Sequence, residues 1–248
     1  MFEIETRNLT KTFGGFAAVN NLNLQIPRGT IFGFLGPNGA GKSTTVKMLT
    51  GLLQPTAGEA IIGGLSILSS PLEVKQKIGV LPEDLALFDS LTIWEHLMMC
   101  GPIYGLDRGE TEKRSHQLLR YLDLLQHRNV YVDQASSGMR KKCSLAMALL
   151  HNPSVLFLDE PFEGIDPVSS RHIKNLLTLL AGRGATIFLT SHILEVVERL
   201  VQSFAIIVEG EIVRSQTMEE TIRAGETIED LFLKHVGTDE VEQLEWIG

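Results

Sequence analysis

Residues 36–43 read Gly-Pro-Asn-Gly-Ala-Gly-Lys-Ser, and they stand between the apolar run IFGFL (31–35) and a segment carrying Val46, Leu49 and Leu53 at helical spacing. A continuous apolar run suits a strand buried on both faces, so the stretch reads as strand, loop, helix. The spacing of the loop has a mechanical reason. Gly36, Gly39 and Gly41 let successive backbone N–H groups converge on phosphate oxygens at the positive end of the next helix, Lys42 reaches the β and γ oxygens, and the Ser43 hydroxyl suits Mg²⁺. Thr44 adds a hydroxyl for another phosphate oxygen, while Pro37, Asn38 and Ala40 complete the loop. A phosphate loop in this setting commits the chain to an α/β core with a mainly parallel sheet.

Two more apolar runs fit that core, SVLFLDE (154–160) and TIFLTSH (186–192). The first places Asp159 at the end of a buried strand, where open parallel sheets bind ligands and where one carboxylate can hold the metal. Glu160 points the opposite way and is suited to polarise an attacking water. Elsewhere the period changes. Alternation in FEIETRNL and at Leu22, Leu24 and Ile26 predicts antiparallel, half-solvated strands, and QPTAG (54–58) turns the chain into a short strand at Ala60 to Ile62. From Leu91 to about Arg128 the pattern is helical, opened by a TIWE capping box and carrying a stripe of Leu118, Leu122 and Leu125. IDPVSS (165–170) starts another helix with Asp166 as cap and Pro167 in its first turn. FAIIV (204–208), the turn EGE and IV predict a hairpin, followed by TIEDLFLKHVG and an acidic tail.

Composition excludes several functions. With 44% hydrophobic residues in 248, a sizeable core is available, and a net charge of −8 argues against nucleic acid as a partner. No run approaches the ~18 consecutive apolar residues of a membrane span, so no direct membrane insertion is expected. The N-terminus lacks a basic segment followed by an apolar one and does not read as a signal peptide. Cys100 and Cys143 have neither metal-ligand nor disulfide spacing and are expected to be buried thiols.

The order of motifs, the phosphate loop, a helical segment, SSGMR (136–140), VLFLDEP, GIDP and TSH, resembles the nucleotide-binding domain of ATP-binding cassette (ABC) proteins across nearly the whole chain. The resemblance implies a P-loop NTPase core with a mixed, mainly parallel sheet, an N-terminal antiparallel β subdomain and an α-helical subdomain. It implies an ATPase domain over 1–215, its helical subdomain inserted at about 90–150, and a C-terminal extension over 216–248. ATP and Mg²⁺ are the implied cofactors.

Residue by residue, Ser136 matches the family's signature serine and Gly138 its second glycine, both implied to meet ATP held by a partner domain. Ser137 stands where the family has a glycine, and Ala135 and Met139 also depart from the commonest form. If position 137 needs a positive φ, serine there is strained. His192 matches the switch histidine near the γ-phosphate; His96, His116, His127, His151, His172 and His235 are expected to be structural. Asp166 matches the loop that crosses between partners, Phe13 the aromatic stacked on adenine, and Glu83 the position where glutamine usually senses Mg²⁺ and the membrane partner. Residues 84–90 would face membrane-domain helices. Arg140, Lys141 and Lys142 are expected on a solvated face.

The implied protein is a transporter ATPase, cytoplasmic and peripheral on the inner face of the membrane through separate transmembrane permease subunits. It would pair with a second nucleotide-binding domain, as a homodimer or with a paralogue. FGFLGPNGAGKSTTVKMLTGL, Pro82-Glu83 and EDLFLKHVG are similar to drug-exporter-like ATPases. Ser137 and Glu83 keep open a weakly hydrolysing, regulatory alternative. A soluble ABC ATPase working on ribosomes or chromosomes is disfavoured, because the chain has one cassette and too short an interval between Ser43 and Ser136 for a coiled-coil arm.

Overall fold

The computed structural model describes residues 2–237. The chain opens with the long hairpin β1 (Phe2–Phe13) and β2 (Phe16–Pro27), then enters the core through β3 (Ile31–Leu35) and α1 (Lys42–Leu49). It returns to the first layer through β4 (Ala57–Ile62) and β5 (Leu65–Ser66), crosses α2 (Pro71–Lys77) and re-enters the core at β6 (Ile78–Leu81). The helical segment comprises α3 (Ile93–Ile103), α4 (Arg108–Tyr121) and α5 (Ser137–Leu149). The core resumes with β7 (Val155–Leu158), α6 (Pro167–Gly182), β8 (Thr186–Ser191), α7 (Leu194–Glu198), β9 (Ser203–Val208) and β10 (Glu211–Thr217). Helices α8 (Met218–Ala224) and α9 (Ile228–Val236) follow.

Among the described residues the strands form two sheets, an antiparallel one in the order β2-β1-β4-β5 and a larger one in the order β10-β9-β3-β8-β7-β6. The pairs β9-β3, β3-β8, β8-β7 and β7-β6 are parallel, and the hairpin strand β10 makes the larger sheet mixed. Strand period explains how one sheet serves two cores. Phe32, Phe34, Phe157 and Phe188 face the antiparallel layer, with ring centroids 5.2–5.6 Å apart around Phe188. Ile31, Leu35, Leu156, Leu158, Ile187 and Leu189 face the helices. Each fully buried Phe or Leu contributes roughly 1.5–3 kcal/mol, so the three strands ending at residues 35, 158 and 191 are firmly held from both faces.

The capping box is present as the spacing predicts: Thr92 Oγ1 accepts from Glu95 N–H at 3.2 Å, and Glu95 returns a carboxylate to Thr92 N–H at 2.8 Å. Other boundaries differ. Leu53 lies beyond the end of α1, and Leu125 lies in a 3-10 turn (Leu125–His127) rather than on the helix that bears Leu118. IGVL, which carries no strand assignment from sequence because only four residues separate α2 from a loop, is strand β6 at the edge of the larger sheet. Residue 215 falls inside β10, and Met218, Ile228 and Leu231 are buried in the same core as α3 and α5. The acidic tail (238–248) lies outside the described residues.

Candidate active site

The phosphate loop is shaped by close backbone approaches. A Cβ on Gly36 would stand 2.3 Å from the Ile207 carbonyl oxygen. Gly41 has φ +106°, and a Cβ there would stand 2.4 Å from the Ala18 carbonyl oxygen, so both positions exclude any other residue. Gly41 is also the N-cap of α1 and offers no side-chain acceptor. The first amides of α1 therefore keep their unpaired hydrogens and the positive end of the helix for an anion. Ala40 is buried in the core beneath the loop. Lys42 is buried as well, its Nζ donating to the carbonyl oxygens of Gly36 (2.7 Å) and Pro37 (3.0 Å). Burial pushes its ammonium below the usual lysine range, against the opposing pull of Glu160, Asp159 and Glu83.

A cleft of about 440 Å³ opens above the loop. Asn38, Gly39, Gly41, Lys42, Ser43 and Thr44 line one side; Glu83, Asp159, Glu160 and His192 line the other, with Ala18 and Glu163 completing it. These residues follow the C-terminal ends of β3, β6, β7 and β8, which is where a parallel sheet presents ligand sites. Ser43 Oγ donates to Glu83 Oε2 at 3.1 Å, so the serine of the loop and the glutamate after β6 already meet.

The carboxylates after β7 are held from several directions. Asp159 is 3% exposed; its Oδ1 accepts from Thr190 Oγ1 at 2.5 Å and its N–H donates to the Leu81 carbonyl at 2.8 Å. The same Thr190 hydroxyl accepts from the Glu160 N–H at 3.0 Å. Glu160 has φ +48°, a left-handed conformation unusual for a glutamate. Its Oε2 lies 3.0 Å from His192 Nδ1, and its carbonyl accepts from Lys141 Nζ at 2.8 Å.

The other expected residues lie apart from the cleft lining. Phe13 is 48% exposed at the turn of the first hairpin, paired across it with Phe16, and Lys11 Nζ sits 5.1 Å from its ring centroid. Ser136 caps α5, accepting from Met139 N–H at 3.2 Å. Ser137 has no positive φ, and a Cβ on Gly138 would come no nearer than 3.4 Å to the Gly164 carbonyl oxygen. The serine at 137 is therefore an ordinary first residue of a helix, without backbone strain. Ser137 lines a neighbouring hollow that Glu83, Lys141 and Glu163 also border. Asp166 caps α6, accepting from Val168 and Ser169 N–H, both at 3.0 Å, and hydrogen bonds from Ser169 hold its carboxyl below the usual range.

The expected solvated face at 140–142 is corrected for two of its three residues. The Lys141 side chain is 13% exposed and Lys142 is 9% exposed, because the core face of α5 turns them toward the segment after β7 and toward Ser169 on α6. Thr190 and Lys141 are thus the partners of Asp159 and Glu160 that sequence reasoning missed. A hydroxyl near the end of the apolar run TIFLT was the available signal for Thr190; for Lys141 a basic triplet at the start of a helix gives none.

Residues 19–163 match the family model described as ABC transporter. The chain is 39% identical over 210 residues to the linearmycin resistance ATP-binding protein LnrL of Bacillus subtilis, covering 85% of this chain and 68% of that protein. Among solved structures it is similar to an ATP binding subunit of an ABC transporter, with TM-score 0.88 and 29% identity over 94% of this chain and 99% of the other. It is also similar to the dimeric, post-hydrolysis cassette MJ0796 bound to ADP and Pi, with TM-score 0.80 and 26% identity over 87% and 98% of the two chains.

Proposed function

The chain belongs to the ABC transporter family, and from that premise we propose that it powers an exporter by binding and hydrolysing ATP between two paired cassettes. Membership makes it an ATP-binding cassette of the ATPase class. The observation that carries the catalytic reading is the convergence of Lys42, Ser43, Glu83, Asp159, Glu160 and His192 on one cleft.

In this reading backbone N–H groups of the loop and of the start of α1, together with the Lys42 ammonium, hold the phosphates, and the adenine stacks on Phe13. Ser43, Glu83 and Asp159 present only oxygen donors. A hard cation such as Mg²⁺ would be held by that set. Bound there, Mg²⁺ would neutralise charge on the β and γ oxygens. Glu160 orients the attacking water and draws on its proton, and His192 fixes the Glu160 carboxylate beside the γ-phosphate.

Ser136, Ser137 and Gly138 begin α5 outside the cleft, so their hydroxyls, amides and positive helix end are available to the ATP of a second cassette. Asp166 lies on the loop that meets that partner. ATP then joins two cassettes head to tail around a two-fold axis and hydrolysis releases them. No described helix is long and apolar enough to cross a membrane. The motion is delivered to separate permease subunits, with the cassette peripheral on the inner face. The resistance named for the relative LnrL supports export of a drug-like compound.

ATP turnover measured against protein concentration tests this. A rate per molecule that rises with concentration supports a composite site. ATP binding without turnover or pairing at any concentration would reject it.

A further inference from the structure

Glu160 occupies a left-handed backbone conformation that is strained for a residue with a Cβ, and such a conformation persists only where its surroundings hold it. Its φ is +48°. Three contacts hold it: Thr190 Oγ1 takes its N–H at 3.0 Å, His192 meets its carboxylate at 3.0 Å, and Lys141 Nζ donates to its carbonyl oxygen at 2.8 Å. Lys141 also donates to the carbonyl of Glu163 at 2.7 Å. It therefore pins both ends of the short turn that the Glu163 N–H closes onto the Glu160 carbonyl at 3.3 Å.

Thr190 and His192 belong to the sheet side of the site. Lys141 does not. It stands in the second turn of α5, the helix whose N-terminus is Ser136-Ser137-Gly138, with its side chain largely out of water. Burial pushes its ammonium below the usual range while Glu163, Glu160 and Asp159 draw it back up, as befits a cation committed to this turn.

We infer that Lys141 is a positioning residue that ties the placement of the α5 N-terminus to the Glu160 carboxylate within one subunit. The inference rests on the reading above, in which α5 meets the partner's ATP and Glu160 acts on the subunit's own. A movement of α5 on pairing then pulls two carbonyls of the catalytic turn with it, so a cassette's own water-orienting group responds to whether its signature is engaged.

The test compares Lys141→Met, which keeps the stem and removes the donors, with Lys141→Arg, which restores donors on a planar fork. For Lys141→Met we expect kcat to fall at least tenfold while KM for ATP and the affinity for a fluorescent ATP analogue stay within twofold. Lys141→Arg should recover most of the rate. An unchanged kcat in the Met variant, a loss shared with ATP affinity, or an Arg variant as slow as Met overturns the inference. Amide hydrogen exchange over residues 160–164 supplies a readout that needs no turnover. Exchange there should quicken at least tenfold in Lys141→Met with the α1 amides unaffected, and unaltered exchange overturns the clamp. Absent turnover in the unaltered chain would sink the hydrolytic reading instead, and exchange would still decide the role of Lys141.

Discussion

His192 Nδ1 lies 3.0 Å from Glu160 Oε2, and the backbone N–H of His192 points at the same oxygen from 3.3 Å. Two groups at the end of β8 thus converge on one carboxylate oxygen at the end of β7. The carboxylate is the buried member, with 12% of its side chain exposed against 48% for the imidazole. A carboxylate aimed this way has a fixed direction before any nucleotide arrives, which is what a water-orienting group requires.

Glu160→Gln keeps the shape of this group and removes its basicity. The expected result is a fall in kcat on the order of 10²-fold or more, with ATP-dependent dimers still seen by size-exclusion chromatography. A Gln variant that retains a tenth of the rate would move the base elsewhere.

His192→Ala removes the imidazole and leaves the backbone donor. The fall in kcat should be about tenfold, smaller than that of Glu160→Gln because one of the two contacts survives. The two groups act as a unit, so the double variant should be no slower than Glu160→Gln alone in single-turnover assays. Fully additive losses would mean that His192 works independently of Glu160.

Lys42 should give ATP binding an alkaline limb. Because burial lowers its pKa, the nucleotide-free protein loses this charge at a pH below that of a free lysine. ATP affinity should therefore begin to fall, as pH rises, before a free lysine would lose its charge, with at most one proton linked per site. Lys42→Met should bind ATP on the order of 10²-fold more weakly at neutral pH and lose that slope. Fluorescent-nucleotide titrations between about pH 8 and 10 read both effects.

The parts of this site that were legible in the sequence are those written locally. The phosphate loop declares itself by glycine spacing, and VLFL and TIFL declare strands because burial on both faces leaves no polar position to break the run. The Thr190 bridge and the Lys141 clamp were not legible, since they join residues 31 and 19 apart in sequence across β7–β8 and α5–β7. Lys142 reads as solvated for the same reason: the tertiary fold buries it, with Nζ 3.5 Å from Ser169 Oγ on α6, 27 residues away. Strand β6 escaped because four residues carry too little periodicity, although its partner β7 fixes it firmly.

Ser136 separates cap from signature. Its Oγ accepts from Met139 N–H within the chain, leaving the hydroxyl hydrogen for a phosphate. Ser136→Asp preserves a good N-cap and places negative charge where a partner's ATP is proposed to sit. Thermal stability should hold, while ATP-dependent dimers, assayed in the Glu160→Gln background, should disappear. Dimers that persist would remove Ser136 from the trans contact.

Cys143 carries an alkaline stability prediction. It is fully buried on α5, and burial pushes its thiol from 9.0 up to about 12. The fold therefore prefers the neutral thiol. In the unfolded chain the thiol ionises from about pH 9, while in the native protein it stays protonated until about pH 12. Across that window the unfolded state binds fewer protons, so stability falls as pH rises, by about 1.4 kcal/mol per pH unit for one group. Below the unfolded value the contribution is fully present. Cys100 and Tyr104 shift in the same direction through burial and add slopes of their own. Cys143→Ala lowers stability at pH 7 by leaving a small void, yet its urea midpoint should decline less steeply than that of the unaltered chain between about pH 9 and 11. Parallel pH profiles for the two proteins would show that the Cys143 thiol meets water in the native state, and a thiol reagent at pH 8 would then label it without denaturant.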